Sequence, residues 1–106
     1  MKQLSFVGSA LDDLKHFPDD ARSDAGYELY RIQQGLDPTD WKPMKTVGAG
    51  VREIRIKEAG GIYRVFYVTD IGDEIYVLHA FTKKTDKTSQ HDVDIGRTRY
   101  KAVTRK

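Results

Sequence analysis

The sequence predicts an α+β domain, and three observations carry that prediction. Two amphipathic helical stretches stand near the start, one running from Ser9 to Phe17 and one over residues 18–35. Three β-rich runs follow, separated by short turns that carry glycine or aspartate. The stretch from Ser89 to about Val103 then returns to helical spacing. Helices and strands that segregate along a chain, instead of alternating, build an α+β layer structure. The expected architecture is an antiparallel meander sheet with an N-terminal helical hairpin packed on one face and a C-terminal helix. A chain of 106 residues is expected to hold this as a single domain, 1–106.

Each element has its own reason. Gln3-Leu4-Ser5-Phe6-Val7 alternates loosely and reads as a first strand beside the meander. Ser9 fits a helix N-cap, with Asp12 in an acidic first turn. Leu11, Leu14 and Phe17 share one helical face. Pro18 interrupts that helix and suits the first turn of the next. Ala21, Ala25, Leu29, Ile32 and Leu36 recur at three- and four-residue spacing, and Gly35 provides a stop. Residues 37–50 hold two prolines and two glycines and read as a loop. Val51–Lys57, Ile62–Thr69 and Glu74–Thr82 are the three strands, with hairpin signals at Gly60-Gly61 and at residues 70–73. In the final stretch Val93, Gly96, Tyr100 and Val103 fall on one helical face.

Composition removes several function classes. With 39% hydrophobic and 32% charged residues the chain is not disordered as a whole. It has no cysteine, which excludes disulfides and thiolate zinc sites. No apolar run reaches the roughly 18 residues of a membrane helix. The first ten residues lack the pattern of a signal peptide, so a cytoplasmic location is expected. Net charge is only +2, yet it is unevenly placed. Residues 1–40 carry four basic and eight acidic side chains, and residues 41–106 carry fourteen and eight. A basic second part favours a polyanion such as RNA, while the same pattern also describes plain solvated charge.

Three runs in order carry a family resemblance: Glu53-Ile54-Arg55-Ile56, then Gly61-Ile62-Tyr63-Arg64-Val65-Phe66-Tyr67, then Leu78-His79-Ala80-Phe81-Thr82-Lys83-Lys84. Together they resemble the RelE/ParE toxin superfamily, and most closely its HigB-like, phage-related branch. The order of elements is similar over the whole chain. The resemblance implies a small RelE-like domain acting as the toxin of a type II toxin–antitoxin system. It implies translation inhibition by a metal-independent, ribosome-dependent mRNA endoribonuclease that needs no cofactor. It also implies a cognate antitoxin, of the helix-turn-helix DNA-binding kind, with operator DNA reached only through it. The ParE-type alternative blocks DNA gyrase without cleaving anything, and a degenerate toxin would act only in an autoregulatory complex.

Cutting RNA without a metal sets the chemical requirements. A ribose 2′-OH must lose a proton as it attacks phosphorus, the charge growing on the phosphate must be stabilised, and the leaving 5′-oxygen must gain a proton. Arg64 stands in an apolar and aromatic strand, which is costly unless an anion or an acidic side chain answers it. It matches the superfamily's strand arginine. Its two readings are a phosphate clamp and an ion pair to Glu53, Asp70 or Glu74. Arg55 matches the basic position of the preceding strand, and alternation puts it with Glu53 and Lys57 opposite Ile54 and Ile56. Lys83 and Lys84 end the last strand, where adjacent side chains point to opposite sides. Lys84 aligns best with the superfamily's final basic residue, for charge stabilisation or proton donation. Some relatives carry a tyrosine about six residues on. Here that position is Gln90, with His91 next to it as a substitute proton donor. Lys42, Lys45 and Trp41 form a basic loop with an aromatic, suited to holding phosphate and stacking a base. Arg97 and Arg99 belong to a basic C-terminal stretch that suits RNA contact.

Overall fold

The computed structural model describes residues 1–58, 60–83 and 87–105, with Lys83 described by its backbone alone. The elements are β1 (Gln3–Phe6), α1 (Ala10–Lys15), α2 (Asp19–Gln33), β2 (Trp41–Pro43), β3 (Arg52–Glu58), β4 (Gly61–Ile71), β5 (Glu74–Lys83) and α3 (Gln90–Thr104). The five strands form one sheet in the order β1-β5-β4-β3-β2. No helix among the described residues is long and apolar enough to cross a membrane.

The expected antiparallel meander needs correction, because the sheet is mixed. β3, β4 and β5 do run antiparallel, but β1 lies parallel to β5, with Leu4 opposite Ile75 and Phe6 opposite Val77. The close pairings of Glu58 with Gly61 and of Ile71 with Glu74 hold β3 to β5 as antiparallel neighbours. No turn joins β1 to β5, so no local connection fixes the direction of that pair. A second correction concerns residues 37–50, which contain a strand. β2 pairs antiparallel with residues 52–54 of β3. It is short, lies at the sheet edge and ends on Pro43, a position where a missing amide costs no ladder bond.

The two faces of the sheet are both covered. One packs under α1 and α2, where Leu14, Phe17, Ala21, Ala25, Leu29 and Ile32 meet Ile54, Val65, Tyr67, Ile75 and Val77. The other packs under α3, where Val93 meets Phe66, Val68, Leu78 and Phe81 together with Met44 and Val47. Both β4 and β5 are therefore interior strands, which accounts for their nearly continuous large side chains.

α3 approaches the sheet through Gly96. A Cβ there would stand 2.9 Å from Phe66 Cδ2 and 2.9 Å from Val47 Cγ1, both in buried side chains. Gly96→Ala gains helix propensity, but overpacking this contact is expected to leave a net loss of about 1–3 kcal/mol. A urea midpoint equal to or above that of the wild type would show that the core yields without cost.

Candidate nucleic-acid interface

The α3-side face of the sheet gathers the chain's internal cations, and strand register explains how. Arg55, Arg64 and Phe81 are partners across β3, β4 and β5, while Lys42, Glu53, Phe66 and His79 form the next row. Partners in an antiparallel pair point to the same face. Lys42, Glu53, Arg55 and Arg64 therefore emerge together.

Arg64 has no exposed surface. Its Nη1 donates to Glu53 Oε1 at 2.7 Å, and Glu53 is equally buried. Of the two sequence readings, the structure places the ion pair. Glu53 has further donors. The Thr88 hydroxyl donates to Oε2 at 2.7 Å, and Lys42 Nζ stands 3.8 Å from Oε1. A buried carboxylate is tolerable only with such partners. Lys42 is half-exposed above the pair.

Arg55 lies at the rim, with 30% of its side chain exposed. Its Nε and Nη2 both donate to Asp40 Oδ1, at 3.2 and 2.8 Å. The Arg55 amide also donates to the Asp40 carbonyl. Lys83 stands opposite Ile62, which stands opposite Lys57, so its register position is one row beyond Arg55 and Arg64. Lys84 lies outside the described residues.

The remaining candidates are spread elsewhere. Trp41 is opposite Ile54 and so faces the α2 side, away from Lys42, with the Arg52 guanidinium 3.9 Å over its ring. Lys45 is exposed in the turn after β2. His91 is exposed on α3 and lines a shallow cavity of about 350 Å³ with Ile95, Thr98 and Arg99. That flank of α3 faces β5 and the start of α1, since Arg99 donates to the Leu78 carbonyl at 2.9 Å and to Ser9 Oγ at 3.0 Å. Arg99 is thus a strap holding α3 down. Arg97, two residues away and about 200° around the helix, is exposed on the other flank.

Sequence reasoning passed over Thr88, Asp40 and the His79–Asp92 pair. A register shift between Phe66–Tyr67 of β4 and β5 leaves Leu78 as the extra residue, so Leu78 and His79 both point under α3. His79 Nε2 lies 2.8 Å from Asp92 Oδ1, and the Ser89 hydroxyl donates to Asp92 Oδ2 at 2.6 Å. Burial holds the His79 pKa below its usual value, and Asp92 offsets this only in part. A histidine whose folded pKa is depressed binds fewer protons in the folded state than in the unfolded one. Its stability contribution is intact above the unfolded pKa of about 6.5 and declines as pH falls below it. Urea midpoints are expected to drop between about pH 7 and pH 5.5, and to drop less in His79→Gln, which keeps a donor and does not titrate. Equal slopes in the two proteins would assign the acid sensitivity elsewhere.

The arrangement offers a cationic rim on a rigid sheet: Arg55 and Lys42 at the surface, with Arg64 and Glu53 as a buried support. It can bind a phosphodiester and offset growing negative charge. Comparison with known proteins places the chain further. The model of the family described as Phage derived protein Gp49-like (DUF891) matches residues 12–101. No curated protein matches the chain.

Proposed function

Since the chain belongs to the phage-derived Gp49-like family, a RelE-like toxin family, we propose that it is the toxin of a HigB-like toxin–antitoxin pair and cuts mRNA on the ribosome without a metal. The observation that carries this reading is the row of cations on one rigid face, with Arg55 and Lys42 at its surface. Arg55 stabilises the phosphorane, and its guanidinium fork suits two phosphate oxygens once Asp40 is displaced. Lys42 adds a second positive charge. Arg64 works from underneath as a positioning residue, fixing the Glu53 carboxylate that faces Lys42. Such a small surface reads little sequence by itself, so the ribosome supplies the placement of the mRNA. The toxin then works in the cytoplasm, restrained by an antitoxin that contacts operator DNA.

A second reading has its own support. Among the described residues no histidine stands beside Arg55: His79 is buried against Asp92, and His91 is on the far flank of α3. A ParE-like inhibitor of DNA gyrase needs no proton donor. Mapping of RNA ends after brief induction in bacteria separates the two. Cuts inside translated codons are expected. Growth arrest with intact mRNA would move the assignment to the inhibitor.

A further inference from the structure

Asp40 is the open carboxylate of the rim. Its side chain is 37% exposed, whereas Glu53 is fully buried against Arg64. Oδ1 of Asp40 accepts from both Nε and Nη2 of Arg55. Beside the pair lies a cavity of about 420 Å³, with Thr39, Asp40, Arg55 and Tyr27 in its lining. Ligand sites have such volumes, and this one gives a ribose room to approach the pair.

The backbone at Asp40 is held on both sides. Its carbonyl accepts from the Arg55 amide at 2.9 Å. The preceding residue, Thr39, donates its amide to Glu28 Oε1 at 2.6 Å and its hydroxyl to Oε2 at 2.9 Å. Glu28 is itself buried on α2. Trp41 then enters β2 opposite Ile54. Breaking the side-chain bonds between Arg55 and Asp40 therefore leaves Asp40 in place, with only its side-chain torsions free to turn.

We propose that Asp40 is the general base of the cut, released from Arg55 when a phosphate takes its place. This rests on the reading of the rim as a nuclease site. A phosphodiester brings two oxygens to the Arg55 fork, and the attacking 2′-hydroxyl is next to the phosphate it attacks. A carboxylate pushed off the fork thus stands beside that hydroxyl, within reach directly or through one water. A carboxylate that has lost a cation and gained a phosphate as neighbour holds a proton more readily. Asp40 takes the 2′-hydroxyl proton, the 2′-oxygen bonds to phosphorus, and the bond from phosphorus to the 5′-oxygen breaks. The leaving oxygen gains a proton from water, and Asp40 returns its own to the hydroxide so formed. The products are a 2′,3′-cyclic phosphate and a 5′-hydroxyl end.

The test uses ribosomes stalled on an mRNA at a codon that RNA-end mapping shows to be cut. Single-turnover cutting gives the rate. The same mRNA with 2′-deoxynucleotides in that codon cannot be cut and gives the affinity. Asp40→Asn keeps an oxygen that accepts from Arg55, but removes the base and the charge that competes with phosphate. It is expected to cut about 10²–10⁴-fold more slowly. It is expected to bind the uncut complex as tightly as the wild type or up to about fivefold tighter. Its urea midpoint stays near that of the wild type, since the pair is half-exposed. Asp40→Glu keeps a base and is expected to recover part of the rate. Faster cutting by Asp40→Asn would make Asp40 a brake on Arg55 and overturn the proposal. A parallel loss of rate and affinity would overturn it too, leaving Asp40 as a holder of the guanidinium alone. A wild type that cuts no mRNA overturns the nuclease reading and the base together, whereas wild-type cutting matched by Asp40→Asn overturns the base alone.

Discussion

Arg64→Ala is expected to destabilise the protein by about 3–5 kcal/mol, the cost of breaking a buried ion pair from one side. The residue lies fully buried in the sheet, and its loss leaves the buried Glu53 carboxylate with Thr88 and a lysine at 3.8 Å. Small domains have roughly 5–15 kcal/mol in total, so such a variant stands near its unfolding threshold. Urea denaturation measures this directly. The double variant Arg64→Met with Glu53→Leu removes both charges and is expected to lose far less than Arg64→Ala alone. A single variant as stable as wild type would mean that water or a shifted side chain answers Glu53. The consequence for function is practical: a non-toxic Arg64→Ala protein reports unfolding before it reports chemistry.

Arg55→Ala separates chemistry from folding. Its ion pair with Asp40 is half-exposed on both sides, at 30% and 37% side-chain exposure, so its removal is expected to cost about 0–1 kcal/mol. RNA cleavage is expected to fall about 10²–10³-fold, the typical effect of losing one group that stabilises transition-state charge. Cleavage mapping beside a urea midpoint reads both quantities. Undiminished cutting by a folded Arg55→Ala protein would remove this residue from the site.

Much of the fold was legible because the core is periodic. The spacing of Ala21, Ala25, Leu29 and Ile32 named the buried face of α2, and all four are buried. Val93 and Gly96 did the same for α3. The turn glycines dictated the register that makes Arg55 and Arg64 partners. The direction of β1 was not legible, since no local signal links residues 3–6 to 74–77. At the candidate site, alternation did place Arg55, Glu53 and Lys57 together. The Glu53–Arg64 pairing is a diagonal across the hairpin, so it was present as one option among several acidic partners. Two errors of grouping came from reading neighbours in sequence as neighbours in space. Trp41 and Lys42 are consecutive in a strand and so face opposite sides. Arg97 and Arg99 sit on different flanks of one helix. The orientation of His79 depends on a bulge, which leaves no mark in the pattern of residue types.

The parallel pairing of β1 with β5 has a consequence for how the chain is made. Residues 3–6 leave the ribosome before the other strands of the sheet, and their partners, residues 74–77, come after β2, β3 and β4 have been synthesised. α1 also rests mainly on β5, so a nascent chain that ends at β4 lacks the strand that β1 pairs with and that α1 packs on most. Long-range pairing of this kind folds late and slowly. The N-terminal segment waits as an unpaired apolar strand through most of synthesis, and the domain becomes competent only when its last strand is free.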